Sequence, residues 1–266
     1  MAKGIKKPFA FLYVVTIYHY KIYNDMRVVY TIDDDSDSII LLRLSILSLL
    51  KHSKDVEIYI MYSNVDIEKL KSILYDIEVN YYPFEYKTID SMFPKLPKAC
   101  NNRIYYPSLS RWFLTRLPIK DCWYVDTDIL FNCDIHELEQ YVEEDSLFVA
   151  FNRKNYKDSM FSHTSDMNGG LLYINIEKFN KLRLFKTIVR FYTENADKIR
   201  FINQTCYDYL FDTYRDCCKT IISDIYNIRM WNINRYNELL EKVKIFHFNG
   251  EDKSLYYRVY NDVMMK

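Results

Sequence analysis

The sequence predicts an α/β domain in which helices cover both faces of one mixed, mostly parallel sheet. Three observations predict it. From residue 27 onward, short β-branched and aromatic runs alternate with longer apolar or amphipathic runs, the order that builds parallel strands with helical crossovers. The chain has 266 residues and shows no internal repeat or clear linker, which suits a single large domain. Hydrophobic residues make up 49% and aromatic residues 17%, so a sizeable core can form and disorder is disfavoured.

The elements follow in order. Residues 27–32 (RVVYTI) read as a buried strand ending in the acidic loop Asp33-Asp34-Asp35. Residues 39–50 (IILLRLSILSLL) are too long for a strand and apolar nearly all round, which predicts a buried helix. A strand at 56–62, a short amphipathic helix at 67–75 and a strand at 78–82 continue the alternation. Pro83, Pro94, Pro97 and Pro107 disfavour helix and predict a loop-rich connection over 83–107. Residues 110–117 (SRWFLTRL) read as a helix with Pro118 just beyond it. Strands are expected at 122–125, 147–151, 171–174 and 243–248, and helices at 181–192 and 204–211.

The ends are less regular. Lys3, Lys6 and Lys7 precede an apolar run at 9–18, the charge order of a secretion signal. No small-residue cleavage site follows, and the run is shorter than a membrane span. Residues 1–25 are expected to be an extension packed on the fold or on a membrane surface, and 26–266 the domain. Met26, where the first convincing strand begins, is a candidate start. The C-terminal YYRVYNDVMMK is aromatic with little charge, which fits either peripheral membrane contact or core packing.

Thirty-six basic and 36 acidic residues balance, which argues against a nucleic-acid partner. None of the six cysteines forms a C-x-x-C pair, and Cys217 and Cys218 are adjacent. Buried or free thiols in a reducing compartment, the cytoplasm, are the expectation.

The chemistry centres on CWYVDTDILFNCDI, residues 122–135. In extended backbone, Asp126 and Asp128 point to the same side, and two carboxylates there attract one divalent cation. Open α/β sheets bind ligands at the carboxyl ends of their strands, where this pair is expected. Oxygen ligands suit Mg²⁺ or Mn²⁺, and an added imidazole favours Mn²⁺. The alternative is ordinary turn chemistry, which Asp also favours. Asp134 reads as a turn-forming acid. His247 follows the strand VKIF and is either a structural histidine or a further ligand. Two of only four glycines, Gly169 and Gly170, follow Asn168 ahead of a buried strand, suggesting close backbone approach to a ligand or a tight turn.

YVDTDILFNCDI resembles the Asp-x-Asp segment of glycosyltransferase family 8. Four further segments are similar to that family in the family's order: VVYTIDDD, SLSRWFL, MNGGLLYINIEKF and HFNGEDK. The resemblance covers residues 26–253. It implies a Rossmann-like GT-A fold, a retaining hexosyltransferase, and a UDP-sugar donor with a glycan, glycolipid or protein acceptor. A bacterial surface polysaccharide or lipid-linked glycan is the expected acceptor class, with peripheral attachment at the inner membrane face in the latter case. The resemblance further implies Asp126, Asp128 and His247 as ligands of Mn²⁺ or Mg²⁺. Asp33 and Asp35 would hold the nucleoside. Arg111, Thr127, Asn168, Gly169, Gly170, Gly250 and Lys253 would hold the donor sugar or diphosphate.

One segment departs from the family pattern. Where the family carries D-Q-D, this chain has Asn203, Gln204 and Thr205. Gln204 would lie on the sugar face, and Asn203 keeps hydrogen bonding without charge. Asp208 is a candidate substitute acid on the adjacent helical turn. The departure keeps open a degenerate glycosyltransferase that binds nucleotide or glycan without turnover. Nucleotidyl transfer is disfavoured, because the loop DDDSDS lacks the glycines of a phosphate-binding turn.

Overall fold

The computed structural model describes residues 26–33, 36–93, 109–152, 168–196, 199, 202–230, 239–248 and 253–266. Among them, the first strand β1 (Met26–Ile32) leads through helix α1 (Ser36–His52) to β2 (Val56–Tyr62). Helix α2 (Ile67–Ile73) then leads to β3 (Asn80–Pro83) and α3 (Tyr86–Met92). The later strands are β4 (Asp121–Val125), β5 (Ile129–Phe131), β6 (Phe148–Asn152), β7 (Asn168–Asn175), β8 (Cys218–Ile222), β9 (Ile228–Arg229) and β10 (Ile245–His247).

Seven strands form one sheet in the order β3-β2-β1-β4-β7-β6-β8, and only β7 runs against the rest. A second sheet, β5-β10-β9, stands beside it. Alternation along the central strands divides the core into two layers. Val29, Cys122 and Tyr124 face one layer. Val28, Tyr30, Trp123 and Val125 face the other. Rings such as Trp112, Tyr30 and Phe148 are fully buried, each worth about 1.5–3 kcal/mol of transfer free energy.

Helix α1 fixes the small sheet. Ile39, Leu42, Ile46 and Leu49 recur at helical spacing and pack on the main sheet. Leu41 faces a third cluster with Leu130, Phe246, Val259 and Val263, which explains the helix's all-round apolarity. Buried Ser48 accepts the Phe131 N–H at 3.0 Å, tying α1 to β5. The C-terminal helix Lys253–Met265 turns Leu255, Tyr256, Val259 and Val263 inward, and the Tyr256 hydroxyl donates to Leu41 O at 3.0 Å. Core packing thus takes Tyr256, Val259 and Val263 from the stretch that suggested membrane contact, while Tyr257 and Met265 stay exposed. No helix among the described residues is long and apolar enough to cross a membrane.

Several local expectations change. Helix α3 forms inside the proline-rich stretch, because no proline falls between Phe84 and Phe93. Arg111–Arg116 is a 3-10 turn rather than an α-helix. The helix expected at 181–192 runs from Leu184 to Asn195 and is preceded by a separate helix, Ile176–Lys181, the two broken where Arg183 adopts a left-handed φ of 55°. Asn168, Gly169 and Gly170 begin β7 rather than precede it. Asp134 caps the following 3-10 turn by accepting the His136 N–H at 3.0 Å. Cys122, Cys133, Cys206, Cys217 and Cys218 are free thiols, and burial pushes Cys133 up to about 12.

Candidate metal and donor site

Strand pairing brings the candidate residues together. Val125 pairs with Tyr30, so Asp33 and Asp126 leave neighbouring parallel strands at the same carboxyl edge. Asp126-Thr127-Asp128 forms a turn, closed by the Ile129 N–H on Asp126 O at 3.2 Å. The two aspartates therefore converge through turn geometry and not through strand alternation. Beyond the turn, β5 pairs antiparallel with β10 and sets His247 opposite Ile129. The Phe248 N–H on Asp128 O, at 3.0 Å, locks this crossing.

His247 is 3% exposed, and its Nε2 points at both carboxylates. It lies 3.3 Å from Asp128 Oδ1 and 3.7 Å from Asp126 Oδ2. One donor atom from each of the three residues lies within 4.8 Å of the others. Donor atoms across an octahedral Mg²⁺ stand about 4 Å apart, so this spacing fits one cation with modest adjustment. Two carboxylate oxygens and one imidazole nitrogen form a donor set suited to Mn²⁺ or Mg²⁺.

Asp126 is oriented from below. Its Oδ1 accepts from Arg111 Nη2 at 2.7 Å and from the Tyr124 hydroxyl at 2.6 Å. That leaves Oδ2 to face His247. Arg111 also donates from Nη1 to Gly169 O at 2.8 Å and lies over the Tyr124 ring. Burial works against the guanidinium's charge, but the Asp126 carboxylate and the surrounding tyrosines more than offset it. Burial likewise pushes the Tyr124 hydroxyl well above its ordinary value, so it stays a donor.

Gly170 shows why a glycine stands in β7. A Cβ there would fall 2.2 Å from His247 Cε1 and 2.8 Å from Asp126 Oδ2. The glycine leaves room for the candidate ligands themselves. β7 departs from regular pairing at this point, where Phe151 pairs with Asn168 but Ala150 pairs with Leu172. Such irregularities re-aim side chains beside sites.

Asn168 is buried and directs Nδ2 to His247 Nδ1 at 2.9 Å. Thr127 lies half-buried in the turn. Asp33 is half-buried at the end of β1. Asn203 and Gln204 occupy the first turn of the helix Ile202–Thr213, but their side chains lie outside the described residues. Later in that helix, Tyr207 packs its ring 4.3 Å from Trp112, next in sequence to Arg111. Asp208 is 2% exposed, packed within the protein rather than presented at its surface. Lys253 opens the C-terminal helix with its side chain outside the description, and Asp35 and Gly250 lie outside it altogether.

Sequence reading passed over two members of the site. Tyr124 lies two residues before Asp126, and strand alternation would have flagged it. Asn227 carries no local signal, because it reaches His247 only through the fold; its Oδ1 stands 3.0 Å from His247 Nδ1.

The sequence profile of glycosyl transferase family 8 matches residues 27–254. A search of curated protein sequences returns no match. Among solved structures, the galactosyltransferase LgtC, crystallised with donor and acceptor sugar analogues, aligns with a TM-score of 0.68 at 14% identity. That alignment covers 89% of this chain and 96% of LgtC. Mouse xyloside xylosyltransferase 1 aligns at 0.61 and 15% identity, covering 85% of this chain and 98% of that one. The glycosyltransferase GlyE of Streptococcus pneumoniae TIGR4 aligns at 0.62 and 15% identity, covering 91% and 62%. At such identities the structural likeness speaks for the fold, GT-A, while the profile match spans nearly the whole chain. The chain belongs to glycosyl transferase family 8.

Proposed function

We propose that the protein moves a hexose from a UDP-sugar to a glycan, glycolipid or protein acceptor with retention of configuration. The observation that carries this is the convergence of Asp126, Asp128 and His247 at the carboxyl edge of the main sheet. These residues would hold Mn²⁺ or Mg²⁺, which supplies charge stabilisation to a departing diphosphate. Lys253 and the backbone at Gly250 would approach the same diphosphate, and Asp33 and Asp35 the nucleoside. Arg111 acts through Asp126, whose orientation it fixes, and with Thr127, Asn168, Gly169 and Gly170 completes the donor side.

Gln204 is a carboxamide and a poor nucleophile, so a covalent glycosyl-enzyme is disfavoured. The acceptor hydroxyl would attack the anomeric carbon from the face the diphosphate leaves. One C–O bond forms as the other breaks, and the hydroxyl proton passes to the leaving diphosphate. Asn203 and Gln204 would hold sugar hydroxyls, with Asp208 supporting that turn of helix. The reaction would run in the cytoplasm, at the inner membrane face where the acceptor is lipid-linked.

The test is a donor-hydrolysis screen with UDP-glucose, UDP-galactose and their N-acetyl forms, with and without Mn²⁺. Mn²⁺-dependent UDP release from one donor is expected. The loss of both flanking acids around Gln204 favours a second reading, a binding module without turnover. Donor binding without release from any sugar would establish that reading instead.

A further inference from the structure

We infer that Asn227 is a positioning residue that selects the cation-binding tautomer of His247, an inference that rests on the proposed metal site. Two amides face one ring nitrogen. Asn168 Nδ2 lies 2.9 Å from His247 Nδ1, and Asn227 Oδ1 lies 3.0 Å from the same atom. Neither amide is free to turn over. Asn168 Oδ1 accepts the Gly170 N–H at 3.1 Å, which leaves its NH₂ facing the ring. Asn227 Nδ2 donates to Phe151 O and to Asn168 O, each at 3.3 Å, which leaves its oxygen facing the ring. Asn227 is 3% exposed and holds a left-handed φ of 57°, a conformation Asn tolerates better than most residues.

One nitrogen cannot satisfy both amides at once. With Nε2 protonated, Nδ1 accepts from Asn168 and Nε2–H faces Asp128 Oδ1 at 3.3 Å. With Nδ1 protonated, Nδ1–H donates to Asn227 Oδ1 and the Nε2 lone pair faces Asp126 and Asp128. Only the second form can give Nε2 to a cation, and a partner on the other nitrogen fixes both tautomer and ring orientation. The interchange moves one proton off Nε2 and one onto Nδ1, with no net change. The two asparagines thus give each form of the ring a complete set of partners. Asn227 supports the loaded site, and Asn168 supports the empty one.

The test measures Mn²⁺ affinity by electron paramagnetic resonance without any donor sugar, in the whole protein. Asn227→Leu, which removes the acceptor, is expected to weaken binding about 10- to 100-fold. Asn227→Asp keeps an acceptor for Nδ1–H and tolerates the same backbone, but turns an oxygen toward Phe151 O and Asn168 O, and is expected to bind more tightly than the leucine variant without reaching wild-type affinity. Long-range ¹H–¹⁵N spectra, with the His247 signal assigned by its loss in His247→Gln, are expected to show Nε2–H without Mg²⁺ and Nδ1–H with it. Asn227→Gly suits the left-handed backbone and controls for misfolding in the leucine variant; its affinity is expected to fall as well. Unchanged affinity in both folded variants overturns the inference and leaves the metal site standing. A wild-type protein that binds no Mn²⁺ overturns the metal reading and the inference together.

Discussion

At the start of β4, Arg27 Nη2 stands 2.6 Å from Asp121 Oδ1; just past its end, Arg111 Nη2 stands 2.7 Å from Asp126 Oδ1. The bonds are nearly the same length, but their surroundings differ. The Arg27 and Asp121 side chains are 22% and 33% exposed, and Arg27 also reaches back to Asp121 O. That pair latches β1 to β4 at the amino edge of the sheet. The Arg111 and Asp126 side chains are 11% and 22% exposed, with Tyr124 on one carboxylate oxygen and His247 facing the other. Water screens the first pair, while the second stands in a less solvated pocket that orients a carboxylate outward. An Arg–Asp contact is a latch or part of a site according to what the second carboxylate oxygen faces.

The comparison can be broken by removing each acid. Asp126→Ala leaves the largely buried Arg111 side chain without its carboxylate and is expected to cost about 3 kcal/mol in urea unfolding, with loss of cation binding. Asp121→Ala is expected to cost no more than about 1 kcal/mol and to leave cation binding intact. Equal costs would mean that burial does not distinguish the pairs. Gly170→Ala comes next. Its methyl would meet the His247 ring, with an expected cost of about 2 kcal/mol and weakened Mn²⁺ binding in the same titration. Tyr124→Phe has the smallest expected effect on the site itself. It removes the hydroxyl bonded to Asp126 and Thr31, for about 1 kcal/mol, and should lower cation affinity only a few-fold.

The convergence of Asp126, Asp128 and His247 was legible in the sequence because local pattern and motif order marked them. Strand β2 was legible to the residue, since β-branched and aromatic residues fill it without interruption. What escaped depended on contacts between distant segments. Asn227 meets His247 only because β9 and β10 pair in parallel, with Arg229 opposite His247. The approach of His247 and Asp126 to Gly170 escaped for the same reason: that a backbone is closely approached can be inferred, but not by which side chains. The 3-10 turn at Arg111–Arg116 lies within a helix-like pattern, and tertiary packing of Trp112, Phe113 and Leu114 decided its geometry.

The most direct measurement of the central claim is Mn²⁺ titration of the wild type beside Asp128→Asn and His247→Gln. These two variants remove candidate ligands without disturbing the Arg111–Asp126 pair. The wild type is expected to bind one Mn²⁺, and each variant to bind it about 100-fold or more weakly, beyond the effect of supporting residues. Unchanged Mn²⁺ affinity in both variants would contradict the claim.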